Sequence, residues 1–268
     1  MEPKPRGWAG DYGRWFGEAG VVAVYHLRPP YPEELFDRLG ALVDGGPVLD
    51  AGCGTGDLAR GLASRGARVD AVDASPRMIE RARQLPGAER VRWQAAPIER
   101  AELEPPYTLI VAGDSVHWFD WDVAFARFAT WLAPGGTLAI VQREWFPHVE
   151  GAHGRLSPIY ARWAANPDFR PLDPVEEVER RGYFLREGRF DTEATPWRPT
   201  LDELVAVHHS MNGFTPERMG ADGVVAFDGE LGAAVEELVR DGMLERGADG
   251  RLELLTRAAA VIGRPRTQ

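Results

Sequence analysis

The 268-residue sequence contains one cysteine, Cys53, and one lysine, Lys4. A lone thiol cannot close a disulfide within the chain, nor can it build a cysteine-rich zinc site. No metal site is expected, because the histidines and acids lack ligand spacing. Almost every positive charge is an arginine, as GC-rich bacterial coding produces. No apolar run approaches the ~20 residues needed to span a bilayer. The first sixteen residues, "MEPKPRGWAGDYGRWF", lack the continuous apolar core of a signal peptide. A cytoplasmic location is therefore expected. The net charge of −10 disfavours broad contact with nucleic acid or anionic membranes, and neither is expected as a partner. No internal repeat or low-complexity tract stands out.

What is present is a regular alternation. Pro47–Ala51 reads as a short buried strand, and Leu58, Leu62 and Ala63 then repeat at helical spacing. Glycines at 52, 54, 56 and 61 fall at the junction. Glycine in regular structure costs up to about 1 kcal/mol per position, so the turn must need positive φ or the close approach of a ligand. Such a turn is expected to offer free N–H groups and a helix N-terminus to that ligand. Arg68–Asp73 reads as a second strand, followed by Ser75-Pro76 as N-cap and first turn of a helix marked by Met78, Ile79 and Ala82. Val91–Ala95, Tyr107–Ala112 and Thr137–Val141 supply three more strands. Asp120 is a candidate cap for "WDVAFARFATWL", which "APGG" stops. Strands alternating with helices predict a parallel sheet covered on both faces. Ligands then sit beyond the strand carboxyl ends at the topological switch point.

Asp73 stands 23 residues after Asp50, near the ~20-residue spacing at which an acid meets ribose hydroxyls. NAD and S-adenosylmethionine both need that geometry, and glycine spacing separates them. Gly52-Cys53-Gly54-Thr55-Gly56 lacks the Gly-x-Gly-x-x-Gly that cradles a pyrophosphate. Asp50, just before the turn, would repel a pyrophosphate yet favour an ammonium or sulfonium.

On "VLDAGCGTG", "VDASPRMIERAR", "HWFD" (His117–Asp120), "RPPYPEEL" and "LAPGGTLAI", the sequence resembles the class I S-adenosylmethionine-dependent methyltransferases. It is most similar to the small-molecule branch that carries "HWFD". The likeness is good over about residues 20–145 and rests elsewhere on element order. It implies an α/β, Rossmann-like fold: a seven-strand, mostly parallel sheet flanked by helices. It implies S-adenosylmethionine as cofactor and S-adenosylhomocysteine as product. Gly52, Gly54 and Gly56 would approach the methionine part, with Asp50 orienting the loop or the amino group. Asp73 would hold the ribose, and Ala74 or Met78 would flank the adenine. Pro97 stands where the family often has Asp, which leaves backbone groups of Ala96 and Ile98 as adenine contacts. Gly113 would begin the loop that passes the methionine end. "EPPY" at 104–107 precedes its strand rather than following it, and reads as a turn.

A hydroxyl, protonated amine or acidic carbon as acceptor benefits from a base. Asp114, His117, His208 and His209 are the candidates; His117 also reads as a residue that hydrogen-bonds its loop, and His208 and His209 read better as a solvated helical pair. Arg28 and Arg143 could instead recognise a carboxylate. Tyr12, Trp15, Phe16, Tyr25, Trp118, Trp145, Phe146, Trp163, Trp197 and Phe214 suit core packing or an apolar or aromatic acceptor. One domain over 1–268 is expected: an N-terminal helical cover (1–40), a cofactor-binding core (41–145), an inserted lid (146–182) and the C-terminal part of the sheet (183–268). The expected function is methyl transfer to a small organic acceptor by a monomer or homodimer. The alternatives are a protein or RNA methyltransferase, or a cofactor-binding protein with chemistry other than methyl transfer.

Overall fold

Short β-branched runs, each closed by a turn into an amphipathic stretch, become the strands and helices of the computed structural model. It describes residues 4, 5, 8, 15–144, 152–165 and 172–267. In chain order the elements are α1 (Ala19–Val24), α2 (Glu33–Gly40), β1 (Val48–Ala51), α3 (Asp57–Ser64), β2 (Val69–Asp73), α4 (Pro76–Arg83), β3 (Val91–Ala95) and β4 (Tyr107–Gly113). Then follow α5 (Trp121–Trp131), β5 (Leu132–Glu144), α6 (Ala152–Trp163), α7 (Pro174–Arg180), β6 (Phe184–Asp191), β7 (Thr195–Trp197), α8 (Leu201–Val207), α9 (Pro216–Arg240) and β8 (Leu254–Pro265).

The main sheet has the order β3-β2-β1-β4-β5-β8-β6. β1 to β5 pair in parallel, and β8 runs antiparallel to both β5 and β6. From β1 the chain builds outward to β2 and β3, then crosses to β4 on the other side. The gap between β1 and β4 is thus the switch point at which ligands of such sheets lie. Asp50 of β1 faces Ala71 on one side and Val111 on the other.

The chain divides into two compact units. One comprises 31–144, 171–193 and 257–268 and holds the main sheet. Its core includes Leu35, Leu39, Leu62, Leu109 and Val141, each fully buried or nearly so. Side chains of this size contribute about 1.5–3 kcal/mol each when buried. The other unit comprises 1–30, 145–170 and 194–256. Its apolar cluster gathers Leu156 and Ile159 of α6, Leu204 and Val205 of α8, and Phe227, Leu231 and Leu238 of α9. Here β7 pairs antiparallel with the first residues of β8. The expected insertion 146–182 therefore falls partly in each unit, with its described residues 152–165 in the second and 172–182 in the first.

Two local expectations need correction. Asp120 makes no side-chain cap on α5; Glu99 Oε1 instead accepts the Asp120 N–H at 2.7 Å. The "APGG" segment does not separate helix from strand, because β5 already begins at Leu132 and carries the glycines within it. Ser75 does cap α4, its Oγ accepting the Met78 N–H at 3.2 Å.

Candidate functional site

After β1 the chain turns through Gly52, Gly54 and Gly56 at φ of +71°, +55° and +80°. Only glycine enters this region without a steric penalty. The space is also taken: a Cβ on Gly52 would lie 2.6 Å from Ser115 Cβ, and one on Gly56 2.2 Å from Trp93 Cη2. The donors of the turn are engaged as well. Gly52 and Cys53 N–H groups both donate to the Val72 carbonyl, at 2.8 and 2.9 Å, and Gly56 N–H donates to Cys53 at 2.8 Å. Gly54 N–H donates to Asp73 Oδ2 at 2.8 Å. The expectation of free N–H groups fails at these four positions, because β2 lies close enough to accept them.

What the turn leaves available is negative charge. Asp50 is 1% exposed; its Oδ2 accepts the Ala59 N–H at 3.0 Å. Its Oδ1 is buried and has no hydrogen-bond partner among the described residues. Burial pushes the Asp50 carboxyl up to about 7, opposed by the Ala59 N–H and reinforced by Asp73 and Asp57. Asp73 Oδ1 accepts the Ser75 N–H at 2.8 Å. Burial raises this carboxyl too, against the two N–H groups that bind its charged form. Burial, with Asp50 and Asp73 nearby, also pushes the Cys53 thiol well up, so it stays a thiol and is no nucleophile. A buried carboxylate oxygen without a donor, beside a turn whose Gly52, Cys53, Gly54 and Gly56 N–H groups are engaged, fits a ligand carrying positive charge. It does not fit a pyrophosphate.

The other expected contacts are dispersed in burial. Ala74 and Pro97 are exposed, Ala96 is half-buried, and Ile98 and Met78 are in the core. The Ala96 N–H already donates to the Asp73 carbonyl at 2.9 Å. A Cβ on Gly113 would meet Leu58 Cδ1 at 2.5 Å and the Tyr31 hydroxyl at 2.9 Å.

Asp114 follows β4 at φ +49°, a conformation that costs a non-glycine residue about 1–2 kcal/mol. Its Oδ1 accepts the Arg143 N–H at 3.2 Å. The Arg143 guanidinium lies 3.7 Å from Asp57 Oδ2 and 3.9 Å from Asp114 Oδ2, over the Tyr31 ring at 3.9 Å. Burial opposes the arginine charge, yet Tyr31, Asp57 and Asp114 together hold its pKa above the ordinary value. Burial raises the Tyr31 hydroxyl as well. Arg143 is thus committed to two aspartates, which corrects its reading as a carboxylate receptor. Sequence reasoning named Asp114 and Arg143 separately but missed that they meet, with Tyr31 of "RPPYPEEL" and Asp57 completing the group. His117 is half-buried and its ring centroid lies 4.4 Å from that of Trp118.

Two further expectations change in the other unit. Arg28 donates to Ser210 Oγ at 2.9 Å, Ser210 O at 2.7 Å and Tyr25 Oη at 3.1 Å, a structural role. His208 and His209 are 2% and 5% exposed, not a solvated pair. His208 bridges the Leu204 carbonyl and the Tyr160 hydroxyl, and His209 bridges the Phe214 carbonyl and Asp228. Trp197 and Phe214 are core residues. Tyr12, Trp145 and Phe146 lie outside the described residues.

Residues 48–136 match the family model of a methyltransferase domain. The chain is 37% identical over 188 residues to the biotin biosynthesis bifunctional protein BioCD of Bordetella avium, covering 66% of this chain and 36% of that protein. It is 40% identical over 75 residues to a malonyl-[acyl-carrier protein] O-methyltransferase of Acetivibrio thermocellus, covering 27% of this chain and 26% of that one. It thus spans about a third or less of the length of these curated relatives. Among solved structures, a protein assigned as a type II methyltransferase from Anaeromyxobacter dehalogenans superposes with a TM-score of 0.61 at 27% identity, covering 90% of this chain and 99% of its own. Among the described residues no helix is long and apolar enough to cross a membrane. The family-model match over residues 48–136, the sheet order and these likenesses together support a class I S-adenosylmethionine-dependent methyltransferase.

Proposed function

We propose that this chain transfers the methyl group of S-adenosylmethionine to a small organic acceptor. The observation that carries the reading is the turn itself: its donors at Gly52, Cys53, Gly54 and Gly56 are engaged, while Asp50 keeps a buried oxygen without a partner. Asp50 and the turn would hold the charged methionine end, and Asp73 the ribose, with Ala74 beside the base. Gly113 would let the following loop run close to the ligand.

When bound, the cofactor supplies an electrophilic methyl on a sulfonium, whose departure as a neutral thioether needs no acid. The protein's task is alignment, which can be worth about 7–11 kcal/mol. The 3₁₀ turn Val116–Trp118 carries His117 three residues beyond Asp114, so His117 is the group on this loop that could orient an acceptor or take its proton. Acidity supports a small acceptor over RNA, as does the resemblance to the "HWFD" branch. The carrier-protein acceptor named for the Acetivibrio enzyme is not extended to this chain, since that match covers only a quarter of it.

The experiment is calorimetry with S-adenosylhomocysteine and NAD, followed by transfer of isotope-labelled methyl to extracts of small molecules, RNA and protein. Binding of the first ligand and label in the small-molecule fraction are expected. NAD binding alone would overturn the cofactor reading. Label confined to RNA or protein would overturn the acceptor class, and binding without any label would favour chemistry other than methyl transfer.

A further inference from the structure

The strained Asp114 is anchored to β5. Its N–H donates to the Val141 carbonyl at 2.9 Å, and Arg143 holds its carboxylate through the backbone N–H and the guanidinium. The next residue closes on the turn: Ser115 Oγ donates to the Ala51 carbonyl at 2.7 Å, and Ser115 Cβ fills the space a side chain on Gly52 would need. Asp114 therefore cannot drift away from the turn without breaking these contacts.

The arginine and the aspartate differ in access. The Arg143 side chain is 4% exposed and that of Asp114 29%. Asp114 is thus the more accessible of the two charges, and it directly precedes Ser115, which closes on the turn. Coulomb interaction falls with distance, and it is screened less here than in bulk water, so a ligand at the turn is expected to feel the more accessible negative charge more strongly than the buried guanidinium. The two cofactor forms differ by one positive charge, present on the sulfonium and absent from the thioether product.

The geometry points to Asp114 as the residue that discriminates between those forms, favouring the sulfonium over the neutral product, with Arg143 as the positioning residue that fixes it. This rests on the cofactor reading above and deepens it. In this role Asp114 keeps its charge throughout and takes no proton from the acceptor. Its negative charge gives the enzyme a means of loading substrate and releasing product at one site.

The test is calorimetric titration of the full chain with S-adenosylmethionine and with S-adenosylhomocysteine. Asp114→Asn is the main variant, because asparagine tolerates the left-handed backbone and retains an acceptor for the Arg143 N–H. The expected result is about a five- to tenfold loss of S-adenosylmethionine affinity, with less than about a twofold change for the product. Arg143→Lys, which keeps the cation, should preserve more of the preference than Arg143→Met. Equal losses for both ligands in Asp114→Asn, or none for either, overturn the inference and leave the cofactor reading standing. A wild-type chain that binds neither ligand overturns both. Thermal melts check folding; if Asp114→Asn does not fold, Asp114→Gly removes both the charge and the backbone strain and is judged by the same ratio.

Discussion

The titration of Asp50 offers a direct measure of how the site receives charge. In the fold its carboxyl is pushed up to about 7, against 3.8 for the free side chain. At 1.36 kcal/mol per pH unit this gap is on the order of 4 kcal/mol. Between about pH 4 and 7 the folded chain retains a proton that the unfolded chain has released. Asp50 therefore favours the fold fully below about pH 4, and that contribution is lost as pH rises through 7. A cation brought to the unpartnered Oδ1 favours the charged form and lowers the pKa again. Cofactor binding should then release a proton, about 0.75 per site at pH 6.5 if the bound carboxyl is fully ionised. Calorimetry with S-adenosylhomocysteine in phosphate and in Tris, buffers of different ionisation enthalpy, reads this number. Asp73, also raised by burial, can add to it, so Asp50→Asn isolates the Asp50 share. No release from the wild type, or the same release from Asp50→Asn, would refute the reasoning.

Three other outcomes follow from single contacts. Asp73→Asn puts an amide NH₂ against one of the N–H donors of Gly54 and Ser75; stability to urea should fall by about 1.5–3 kcal/mol, and product binding should weaken at least about tenfold. Unchanged binding in a folded variant would sink the ribose role. Gly56→Ala combines φ +80° with a Cβ 2.2 Å from Trp93, and should lower stability by about 2–4 kcal/mol; an unchanged urea midpoint would contradict it. Burial lowers His208 from 6.5 to about 4, so its contribution to stability is complete above pH 6.5 and lost as pH falls through 4, on the order of 3 kcal/mol. His208→Asn should flatten the acid side of the urea-midpoint profile, and retention of the wild-type slope would count against this.

The sheet was legible because β1, β2 and β4 are short, mostly buried runs bounded by turn residues, so local signals agreed with the global fold. Less legible was α9, which starts at Pro216, breaks at Gly220 (φ +73°) and continues through Gly223, Gly229 and Gly232. Each glycine lowers helix propensity by about 1 kcal/mol, and only packing of Phe227, Leu231 and Val235 in the core offsets that. The burial of His208 and His209 was equally hidden. Their partners Tyr160 and Asp228 lie 48 and 19 residues away, and without those partners a buried pair would be too costly. Arg143 illustrates the same limit: an arginine after a strand suggests a receptor for anions, and only tertiary structure shows two aspartates already beside it.

At the glycine turn the sequence and the structure agree on the ligand for different reasons. Spacing alone separates Gly52-Cys53-Gly54-Thr55-Gly56 from a dinucleotide fingerprint, but spacing does not say where the N–H groups point. In the fold, Val72 accepts two of them and Asp73 a third, because β2 runs beside β1 with Asp50 opposite Ala71. A phosphate would therefore have to displace hydrogen bonds made within the protein and approach Asp50 and Asp73 as well. A cation beside the turn meets carboxylates rather than N–H groups already engaged, and Asp50 Oδ1 has no donor of its own among the described residues. The same glycines that could have built an anion cradle instead bring two carboxylates together, and the sign of the charge they present follows from the pairing of β1 with β2.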